Sequence, residues 1–368
     1  MGRCQCCNQT AVTISNAIGF CADCLRDRFD QVWPEVKKVH DRTRRVNNLP
    51  LDPPRSEPGR LCPLCSRECR LAEGETGYCG LRRIEAGTIK GGRPHEGNLS
   101  CYFDPLPTNC VADFVCPAGA NGGYPAYSYS PGPEYGYKNL AVFYQACSFN
   151  CLFCQNHHYR DLTRSKRRLP ARDLARIVDD RTACICYFGG DPTPQVLHAL
   201  KAAALARRRF PGRVLRICWE TNGSAQEPWL GLMGRISLDS GGCVKFDLKA
   251  WDDRIHQALC GVSNRQTLAN FRKMAAHIPL RPDPPFLIAS TLMVPGYVDE
   301  EEVAAIASFL AELNPSIPYS LLAFHPTFYL KDLPPTSWKH ARRCREAALK
   351  AGLDRIHLGN QHLLDDYY

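Results

Sequence analysis

The second half of the chain alternates short apolar segments with amphipathic ones, and this alternation limits the fold more than any other feature. From Asn139 onward, apolar runs typical of buried strands are separated by stretches with the apolar spacing of helices. Strands are predicted at 140–145, 183–188, 214–219, 243–248, 286–293, 319–325 and near 355–358. Repeated strand–helix alternation predicts an α/β fold with a parallel sheet and right-handed crossovers. We expect a full or partial (β/α) barrel with its chemistry at the C-terminal strand ends, and an open doubly wound sheet is the alternative.

Two helices of this region carry clear end signals. A helix over 299–313 has Asp299 as its candidate N-cap and Glu302 at the spacing of a capping box. A second helix is predicted to start at Thr336 and to stop at Gly352, a good C-terminal residue.

The chain contains 21 cysteines, which is unusual for 368 residues. The first 25 residues hold five of them and include no apolar run of signal-peptide length. No stretch approaches the length needed to span a bilayer. We therefore expect a cytoplasmic protein with no membrane partner, whose thiols bind metal or clusters rather than form disulfides.

Composition divides the chain into three regions. Residues 1–58 form a cysteine-rich, zinc-ribbon-like module and linker, and residues 59–138 a second cysteine-rich module that ends in a Gly/Pro/Tyr-rich segment. Residues 139–368 form the strand–helix core. We expect the Gly/Pro/Tyr segment 117–137 to border the open end of the barrel and to receive an extended substrate. The alternative is that it closes the bottom or side of the barrel.

The N-terminal module has the spacing of a metal site. Cys4 and Cys7 form one CxxC pair, and Cys21 and Cys24 form another. Two such pairs at this separation predict a tetrahedral zinc site, and Cys6 could replace Cys7 as a ligand.

A second set of four cysteines follows in the next region. It consists of Cys62, Cys65, Cys69 and Cys79. Four unmodified cysteines suit either zinc or an auxiliary [4Fe–4S] cluster, and their spacing does not distinguish the two. Cys101, Cys110 and Cys116 are a further candidate group. The remaining cysteines fall on predicted strands and helices, where small buried apolar residues are expected: Cys184, Cys186, Cys218, Cys243, Cys260 and Cys344.

The first strand of the core leads into a CxxxCxxC loop formed by Cys147, Cys151 and Cys154. Three thiolates in so short a loop can bind three irons of one cubane. Because cubanes otherwise take four cysteines, the fourth iron keeps a free coordination position. The alternative is a structural zinc site completed by His157 or His158.

These residues bring out a family resemblance. The string CSFNCLFCQN, with Phe153 in the aromatic position before the third cysteine, resembles the radical S-adenosylmethionine (SAM) signature. Residues 139–368 resemble the pyruvate formate-lyase activating enzyme branch, and within it the radical SAM component of the AmmeMemoRadiSam system. Further similar strings are CPLCSRECRLAEGETGYCGLR (62–82), KFDLKA (245–250), CGVSN (260–264), TLMVPGYVD (291–299), AFHP (323–326) and HLGN (357–360). DPLPTNC (104–110) departs from that subfamily and puts transfer of its role in doubt.

The resemblance implies a fold and a first set of cofactor contacts. The fold is a partial (β/α)6 barrel of the radical SAM type with a cysteine-rich N-terminal extension. Gly189, Gly190 and Asp191 occupy the position that holds the methionine amino group of SAM, where the family usually has Glu in the third place. The alternative is a tight turn after a strand. Glu220 is expected to reach the SAM ribose or an adjacent polar network.

Two further contacts are implied. Lys249 is expected to pair with the methionine carboxylate, and the alternative is a structural ion pair with Asp247 or Glu220. His325 is expected beside the adenine, although a lone histidine at a strand end is often an ordinary hydrogen-bonded residue. Phe153 completes the cofactor-binding set.

The resemblance also implies the reaction. A [4Fe–4S] cluster and SAM would yield a 5′-deoxyadenosyl radical that abstracts hydrogen from a peptide, protein or small molecule. Glycyl-radical activation is the family's best-known use, and a one-electron reductant such as flavodoxin or ferredoxin is the expected partner. The formal charge of +9 permits two alternatives, a zinc-binding adaptor and a radical SAM enzyme acting on RNA. The sequence has no aromatic-rich RNA-binding motif, which argues against nucleic acid.

Overall fold

The computed structural model describes residues 1–120 and 122–368, and its N-terminal part consists of small hairpins and two helices. Each hairpin is an antiparallel pair of two or three residues per strand. They are β1 (Gly2–Arg3) with β2 (Thr10–Ala11), β3 (Arg60–Leu61) with β4 (Arg70–Leu71), and β5 (Arg83–Glu85) with β6 (Thr88–Lys90). Between the first two hairpins lie helices α1 (Ala22–Asp27) and α2 (Phe29–Val46).

The rest of the chain is organised around one eight-stranded sheet. Its strands are β7 (Leu99–Pro105), β8 (Lys138–Tyr144), β9 (Thr182–Gly189), β10 (Arg216–Thr221), β11 (Val244–Asp247), β12 (Leu287–Met293), β13 (Tyr319–Ala323) and β14 (Ile356–Gly359). Strands β8 to β14 are parallel and adjacent in chain order, and β7 pairs antiparallel with β8 at one edge. In the described part of the chain the two edge strands, β7 and β14, do not pair with each other. The sheet is therefore a partial barrel, as predicted.

Helix α3 (Pro117–Ala120) lies between the antiparallel strands β7 and β8. The other helices connect the parallel strands. They are α4 (Tyr159–Leu162), α5 (Ala171–Ile177), α6 (Val196–Arg209), α7 (Trp229–Ser240), α8 (Asp253–Cys260), α9 (Arg265–Ala275), α10 (Glu300–Leu313) and α11 (Trp338–Lys350). Short 3-10 helices span Thr193–Gln195, Ile278–Leu280 and Gln361–Leu363. None of the helices within residues 1–120 and 122–368 is long and apolar enough to cross a membrane.

All seven predicted strand segments are strands. The strands β8 to β13 are nearly continuous runs of buried residues in a sheet covered by helices, whereas the edge strand β14 is only partly buried. Strand β7 was not predicted. Its residues alternate between half-buried and exposed, as an edge strand allows, and this pattern lacks the continuous apolar run of the central strands.

The predicted helix ends are right in one case and shifted in the other. The Asp299 carboxylate accepts hydrogen bonds from the N–H groups of Glu301 and Glu302, so it is the N-cap of α10. Glu302 does not complete a capping box, because its carboxylate accepts the N–H of Trp251 at 2.6 Å instead. In α11 the N-cap is Ser337 rather than Thr336.

Thr336 is diverted from capping by tertiary hydrogen bonds. Its hydroxyl donates to the carbonyl of Met293 at 2.8 Å and accepts the N–H of Phe324 at 2.7 Å. The threonine thus joins the ends of β12 and β13, and the cap passes to the next residue.

The Gly/Pro/Tyr segment 117–137, of which residue 121 lies outside the described residues, packs at the N-terminal end of the sheet. The Tyr129 hydroxyl donates to the carbonyl of Val214, just before β10, at 2.6 Å. Arg216, the first residue of β10, forms a fully buried two-point ion pair with Glu134. The expectation that this segment borders the open end of the barrel is wrong. It closes the bottom, because the buried Arg216 guanidinium requires the carboxylate that the segment supplies.

We predict that Glu134→Gln lowers the free energy of unfolding by about 3–5 kcal/mol, because it leaves the buried Arg216 charge without a counter-ion. The matched control is Glu57→Gln, which breaks an exposed ion pair with Arg70 (3.4 Å) and should cost less than about 1 kcal/mol. Urea denaturation followed by circular dichroism measures both. Equal losses in the two variants would contradict the structural role assigned to the pair.

Candidate active site

A cavity of about 170 Å³ opens at the C-terminal ends of the parallel strands. Its wall includes most of the side chains predicted for the site: Cys147, Cys151, Phe153, Cys154, Gly189, Gly190, Asp191, Glu220 and Lys249. The loops after β8, β9, β10 and β11 each contribute residues to this wall, so the topology brings together positions that are about 100 residues apart in the chain. His325 is exposed and does not line the cavity.

The cysteine loop after β8 is held by two helices. The N–H groups of Asn150 and Leu152 donate to the carbonyls of Cys260 and Leu259 at 2.9 Å each, which satisfies carbonyls at the C-terminal end of α8. The Asn150 side-chain amide donates to the Thr43 hydroxyl of α2 at 2.8 Å. The loop geometry therefore depends on both the core and the N-terminal module.

The thiols of the loop differ in their electrostatic surroundings. A hydrogen bond with the Cys260 thiol, which is fully buried at the end of α8, lowers the pKa of Cys151 to about 7 against the effect of burial. The charges of Lys249 and Arg160 act in the same direction. Burial raises the pKa of Cys147. Sequence reasoning treated Cys260 as a packing residue, and its contact with Cys151 appears only in the fold.

Arg160 is a buried cation on the cavity wall that the sequence did not single out. Its Nη2 donates to the side-chain amide oxygen Oδ1 of Asn150 at 3.3 Å, whereas its Nε and Nη1 have no hydrogen-bond partner among the described residues. A buried guanidinium with free donors requires an anion. Three thiolates and an iron–sulfur cubane form an anionic group beside it, so the residues present fit the cluster.

The alternative of a zinc site with histidine is not supported by the geometry. The His158 side chain is 78% exposed and lies beside Asp161, and His157 stacks on Phe328 with ring centroids 4.8 Å apart. Ligand sulfurs of one zinc ion lie about 3.8 Å apart, given zinc–sulfur distances of about 2.3 Å in a tetrahedron. Across the described residues, the only group of three or more potential ligands within 4.8 Å lies in the N-terminal module.

The two glycines after β9 are required by the chain's own packing. Gly189 has φ +112°, and a Cβ there would lie 2.5 Å from the backbone nitrogen of Tyr144. A Cβ on Gly190 would lie 2.4 Å from the carbonyl oxygen of Ala146. The glycines thus let β9 approach the end of β8, and they leave their backbone on the cavity wall.

Asp191 is buried and already has three hydrogen-bond donors. Its carboxylate accepts the N–H of Thr193 at 2.8 Å, the Thr221 hydroxyl at 3.0 Å and the N–H of Asn222 at 2.7 Å. The Asn222 amide in turn lies 3.7 Å from the Cys147 sulfur. Asp191 therefore joins the ends of β9 and β10 beneath the cysteine loop, and its contact with a cofactor stays a prediction.

Lys249 and Glu220 both have ionic partners within the protein. Lys249 Nζ lies 3.0 Å from Asp247 Oδ2, so the ion pair considered as the alternative is present. Glu220 Oε1 lies 2.7 Å from Nζ of Lys245, a residue that the sequence did not single out. Lys249 also lies 5.7 Å from the centroid of the Phe153 ring. The roles of Lys249, Glu220 and Phe153 toward a cofactor stay predictions, as does that of His325.

The N-terminal module gathers four thiols into the geometry of a single-metal site. These are Cys4, Cys7, Cys21 and Cys24, all within 4.8 Å of one another. The sulfurs of Cys7 and Cys21 are 3.8 Å apart, which matches the separation expected around one zinc ion. Cys6 is outside the group, and its sulfur accepts a hydrogen bond from Arg28 at 3.4 Å. The structure thus favours Cys7 over Cys6.

The second set of cysteines lines one small pocket with a largely apolar wall, together with Leu64, Pro194 and two arginines, Arg67 and Arg82. The set is Cys62, Cys65, Cys69 and Cys79, and no three of its sulfurs lie within 4.8 Å of one another. This spacing is wider than a single ion requires. It suits a cluster, in which each thiolate binds a different iron.

A short hydrogen-bonded path joins this pocket to the cysteine loop. The N–H of Ser66, next to Cys65, donates to the carbonyl of Ser224 at 2.9 Å. The hydroxyls of Ser224 and Ser148 are 2.7 Å apart, and Ser148 follows Cys147 in the chain. The second cysteine set therefore packs directly against the candidate active site.

Comparison with known sequences shows what these residues are similar to. The sequence model of the Radical SAM superfamily matches residues 141–310. The isethionate sulfite-lyase activating enzyme of Oleidesulfovibrio alaskensis is 32% identical over 142 residues, which are 38% of this chain and 41% of that protein. The pyruvate formate-lyase 1-activating enzyme of Escherichia coli is 28% identical over 190 residues, 50% of this chain and 73% of that protein. The chain thus spans about two-fifths of the first relative's length.

Longer and structural similarities extend the comparison. An uncharacterised protein of Methanocaldococcus jannaschii is 24% identical over 309 residues, 81% of this chain and 80% of that protein. Among solved structures, a domain of pyruvate-formate lyase-activating enzyme from Bacteroides vulgatus has a TM-score of 0.38 at 22% identity, covering 48% of this chain and 98% of that chain. SuiB from Streptococcus suis, bound to precursor peptide SuiA, has a TM-score of 0.44 at 16% identity, covering 59% and 47%.

We predict that Cys7→Ser loses the metal of the N-terminal module, because it removes one of four converging thiols, whereas Cys6→Ser retains it. Zinc analysis of the two purified variants beside the unmodified protein measures the difference. Loss of zinc from the Cys6 variant with retention in the Cys7 variant would reverse the ligand assignment. Zinc contents equal to that of the unmodified protein in both variants would place the metal elsewhere.

Proposed function

We propose that the chain is an enzyme of the radical SAM type that cleaves SAM reductively at a [4Fe–4S] cluster bound by Cys147, Cys151 and Cys154. The observation that supports this most is the presence of these thiols on one cavity with the buried Arg160 guanidinium, whose Nε and Nη1 have no hydrogen-bond partner among the described residues. When bound, the cluster supplies one electron to SAM, which releases a 5′-deoxyadenosyl radical for hydrogen abstraction. A one-electron reductant such as flavodoxin or ferredoxin would supply the electron.

The chain's own residues would hold and orient SAM in this cavity. Lys249 presents an ammonium with three donors, of which Asp247 uses one. A second carboxylate, that of the methionine moiety, can therefore share the same ammonium. The backbone of Gly189 and Gly190 would face the methionine amino group in this arrangement, and Phe153 would border the cofactor from the cysteine loop.

The geometry favours a small substrate. Segment 117–137 closes the N-terminal end of the barrel, so it offers no surface for an extended partner at the cavity mouth. We infer that a small molecule enters from the C-terminal strand ends and donates hydrogen there.

A second candidate function is the activation of a glycyl-radical protein. Two relatives are named as activating enzymes, of pyruvate formate-lyase and of isethionate sulfite-lyase. In that case the hydrogen donor would be a glycine of a protein that docks over the cavity mouth.

The two N-terminal cysteine sets are assigned different metals in this proposal. Zinc suits the compact set of Cys4, Cys7, Cys21 and Cys24, and its role would be structural. An auxiliary [4Fe–4S] cluster suits the wider set in the small apolar pocket. The serine path from Ser66 to Ser148 would then connect the auxiliary cluster with the central one.

We predict that the anaerobically reconstituted and reduced protein shows a [4Fe–4S]⁺ electron paramagnetic resonance signal that changes when SAM is added. It should also release 5′-deoxyadenosine. Replacing Cys147, Cys151 and Cys154 together by Ala should abolish the SAM response and the release, whereas the buried but remote Cys344→Ala should keep both. A SAM-sensitive signal in the triple variant would contradict the assignment.

The same assay separates the two substrate classes. Escherichia coli pyruvate formate-lyase serves as the probe for the activating function. A glycyl radical signal on the added lyase would favour the second candidate. Release of 5′-deoxyadenosine that is unchanged by the lyase, but rises with a small-molecule extract, would favour the first.

Lys249→Ala should weaken SAM binding about 10- to 150-fold, because a hydrogen-bonded charge pair contributes about 1.5–3 kcal/mol. The matched control is Lys138→Ala, which removes a lysine paired with Asp179 at 2.6 Å at the opposite end of the sheet. Isothermal titration of SAM into the reconstituted protein measures both. An unchanged affinity in the Lys249 variant, with lower stability, would make Lys249 a purely structural partner of Asp247.

A further inference from the structure

A second cavity, of about 150 Å³, lies inside the barrel on the side of the N-terminal strand ends. Six cysteines line it: Cys110, Cys116, Cys184, Cys186, Cys218 and Cys243. It adjoins the active-site cavity at Phe188 and Glu220, which belong to both walls. From the sequence, the four cysteines on predicted strands were expected only to fill buried apolar positions. In the structure they line the same cavity.

Three of these thiols lie on strands, where side-chain alternation directs them inward, and a fourth lies next to a strand. Cys184 and Cys186 point inward from β9, and Cys218 points inward from β10, where it is the cross-strand neighbour of Cys186. Cys243 lies just before β11. Barrel interiors are normally filled by layers of bulky branched residues. Here the inward positions carry small thiols, and a cavity remains where a packed core would be expected.

The segment between β7 and β8 (106–137), called the plug, supplies the other two thiols. Cys110 and Cys116 come from this segment, which also holds the Arg216–Glu134 ion pair at the bottom of the barrel. The cavity is therefore lined by thiols from both the sheet and the plug. The six cysteines come together only when the plug packs against the sheet.

A buried lysine faces the thiols. Lys245 is only 2% exposed, and its ammonium lies 3.0 Å from the Cys110 sulfur, 3.3 Å from the Cys186 sulfur and 2.7 Å from Glu220 Oε1. Glu220 is the one carboxylate in contact with this ammonium among the described residues. Burial raises the pKa of Cys110 and of Cys186, and the ammonium of Lys245 opposes that effect. Binding of metal would itself deprotonate such thiols.

We propose that this cavity binds an iron–sulfur cluster, held by up to four of the six cysteines and separate from the cluster on Cys147, Cys151 and Cys154. A cluster fits better than one ion because no three of the sulfurs lie within 4.8 Å across the described residues. The thiolates of a cluster bind different irons and lie farther apart. A [4Fe–4S]²⁺ core with four thiolates is dianionic. The charge of Lys245 is already paired with Glu220, and the contribution of its ammonium is to donate hydrogen bonds to the sulfurs of Cys110 and Cys186. The cluster would lie directly beneath the active-site cavity.

The test uses the full chain with the other candidate iron sites removed, namely Cys147, Cys151, Cys154, Cys62, Cys65, Cys69 and Cys79 replaced by Ala. After anaerobic reconstitution with iron and sulfide, this variant should retain about two to four irons and as many sulfides per chain. Adding Cys186→Ala and Cys218→Ala should remove them. Adding Cys344→Ala instead, a buried cysteine of α11 outside the cavity, should not. Circular dichroism checks that each variant is folded.

A second pair of variants guards against misfolding of the strand variants. Cys110→Ala with Cys116→Ala changes only the plug, and it should also lower the iron and sulfide content. Retention of full iron and sulfide in both pairs would overturn the proposal, as would binding of a single zinc or copper ion without sulfide. The SAM-sensitive signal of the otherwise unmodified protein is measured separately, so failure of this site and failure of the central cluster are distinguishable.

Discussion

The Asp191 carboxylate is the interaction on which the candidate site depends most. It is buried, and it accepts three hydrogen bonds that join the end of β9 to the turn after β10. Hydrogen bonds to a charged group contribute about 1.5–3 kcal/mol each, so this junction is stiff. Through Asn222 it reaches Cys147 and Ser148, and thereby fixes the floor on which the cysteine loop rests. A glutamate at this position has one more methylene, so its carboxylate would lie farther from the backbone and would not meet the same three donors in the same way.

Much of the architecture follows from local patterns in the sequence, and the site residues that escaped prediction depend on long-range contacts. The apolar runs predicted seven strands, and Asp299 was recognisable as a cap from its position alone. Ser337 replaced Thr336 because the threonine hydroxyl joins two strands far away in sequence. The roles of Arg160 and Cys260 depend on the contacts among β8, α4 and α8. No spacing pattern in the sequence predicts those contacts. The Gly/Pro/Tyr segment 117–137 was predicted at the wrong end of the barrel. Its tyrosines indicate a contact surface, but they do not indicate which part of the protein they contact.

The spacing of the cysteines in the sequence predicted metal binding at both N-terminal sets. The distances between their sulfurs in the structure indicate which set can surround a single ion. The N-terminal thiols converge within 4.8 Å, and the set around the apolar pocket does not. The two sets have similar CxxC beginnings in the sequence, so their difference arises from the turns between the ligands. Four of the thiols inside the barrel belong to no motif, because they lie on or beside separate strands and meet only across the sheet. The other two, Cys110 and Cys116, belong to the candidate group that the sequence indicated.

The contact between α2 and the cysteine loop has a consequence for how this enzyme can be divided. Both protons of the buried Asn150 amide go to α2, to the Thr43 hydroxyl and the His40 carbonyl. Without residues 1–58 that amide would lose its acceptors, at a cost of about 1–3 kcal/mol next to Cys151. The geometry of the cysteine loop therefore depends on residues outside the strand–helix core. A different leading module would have to supply new acceptors for this amide.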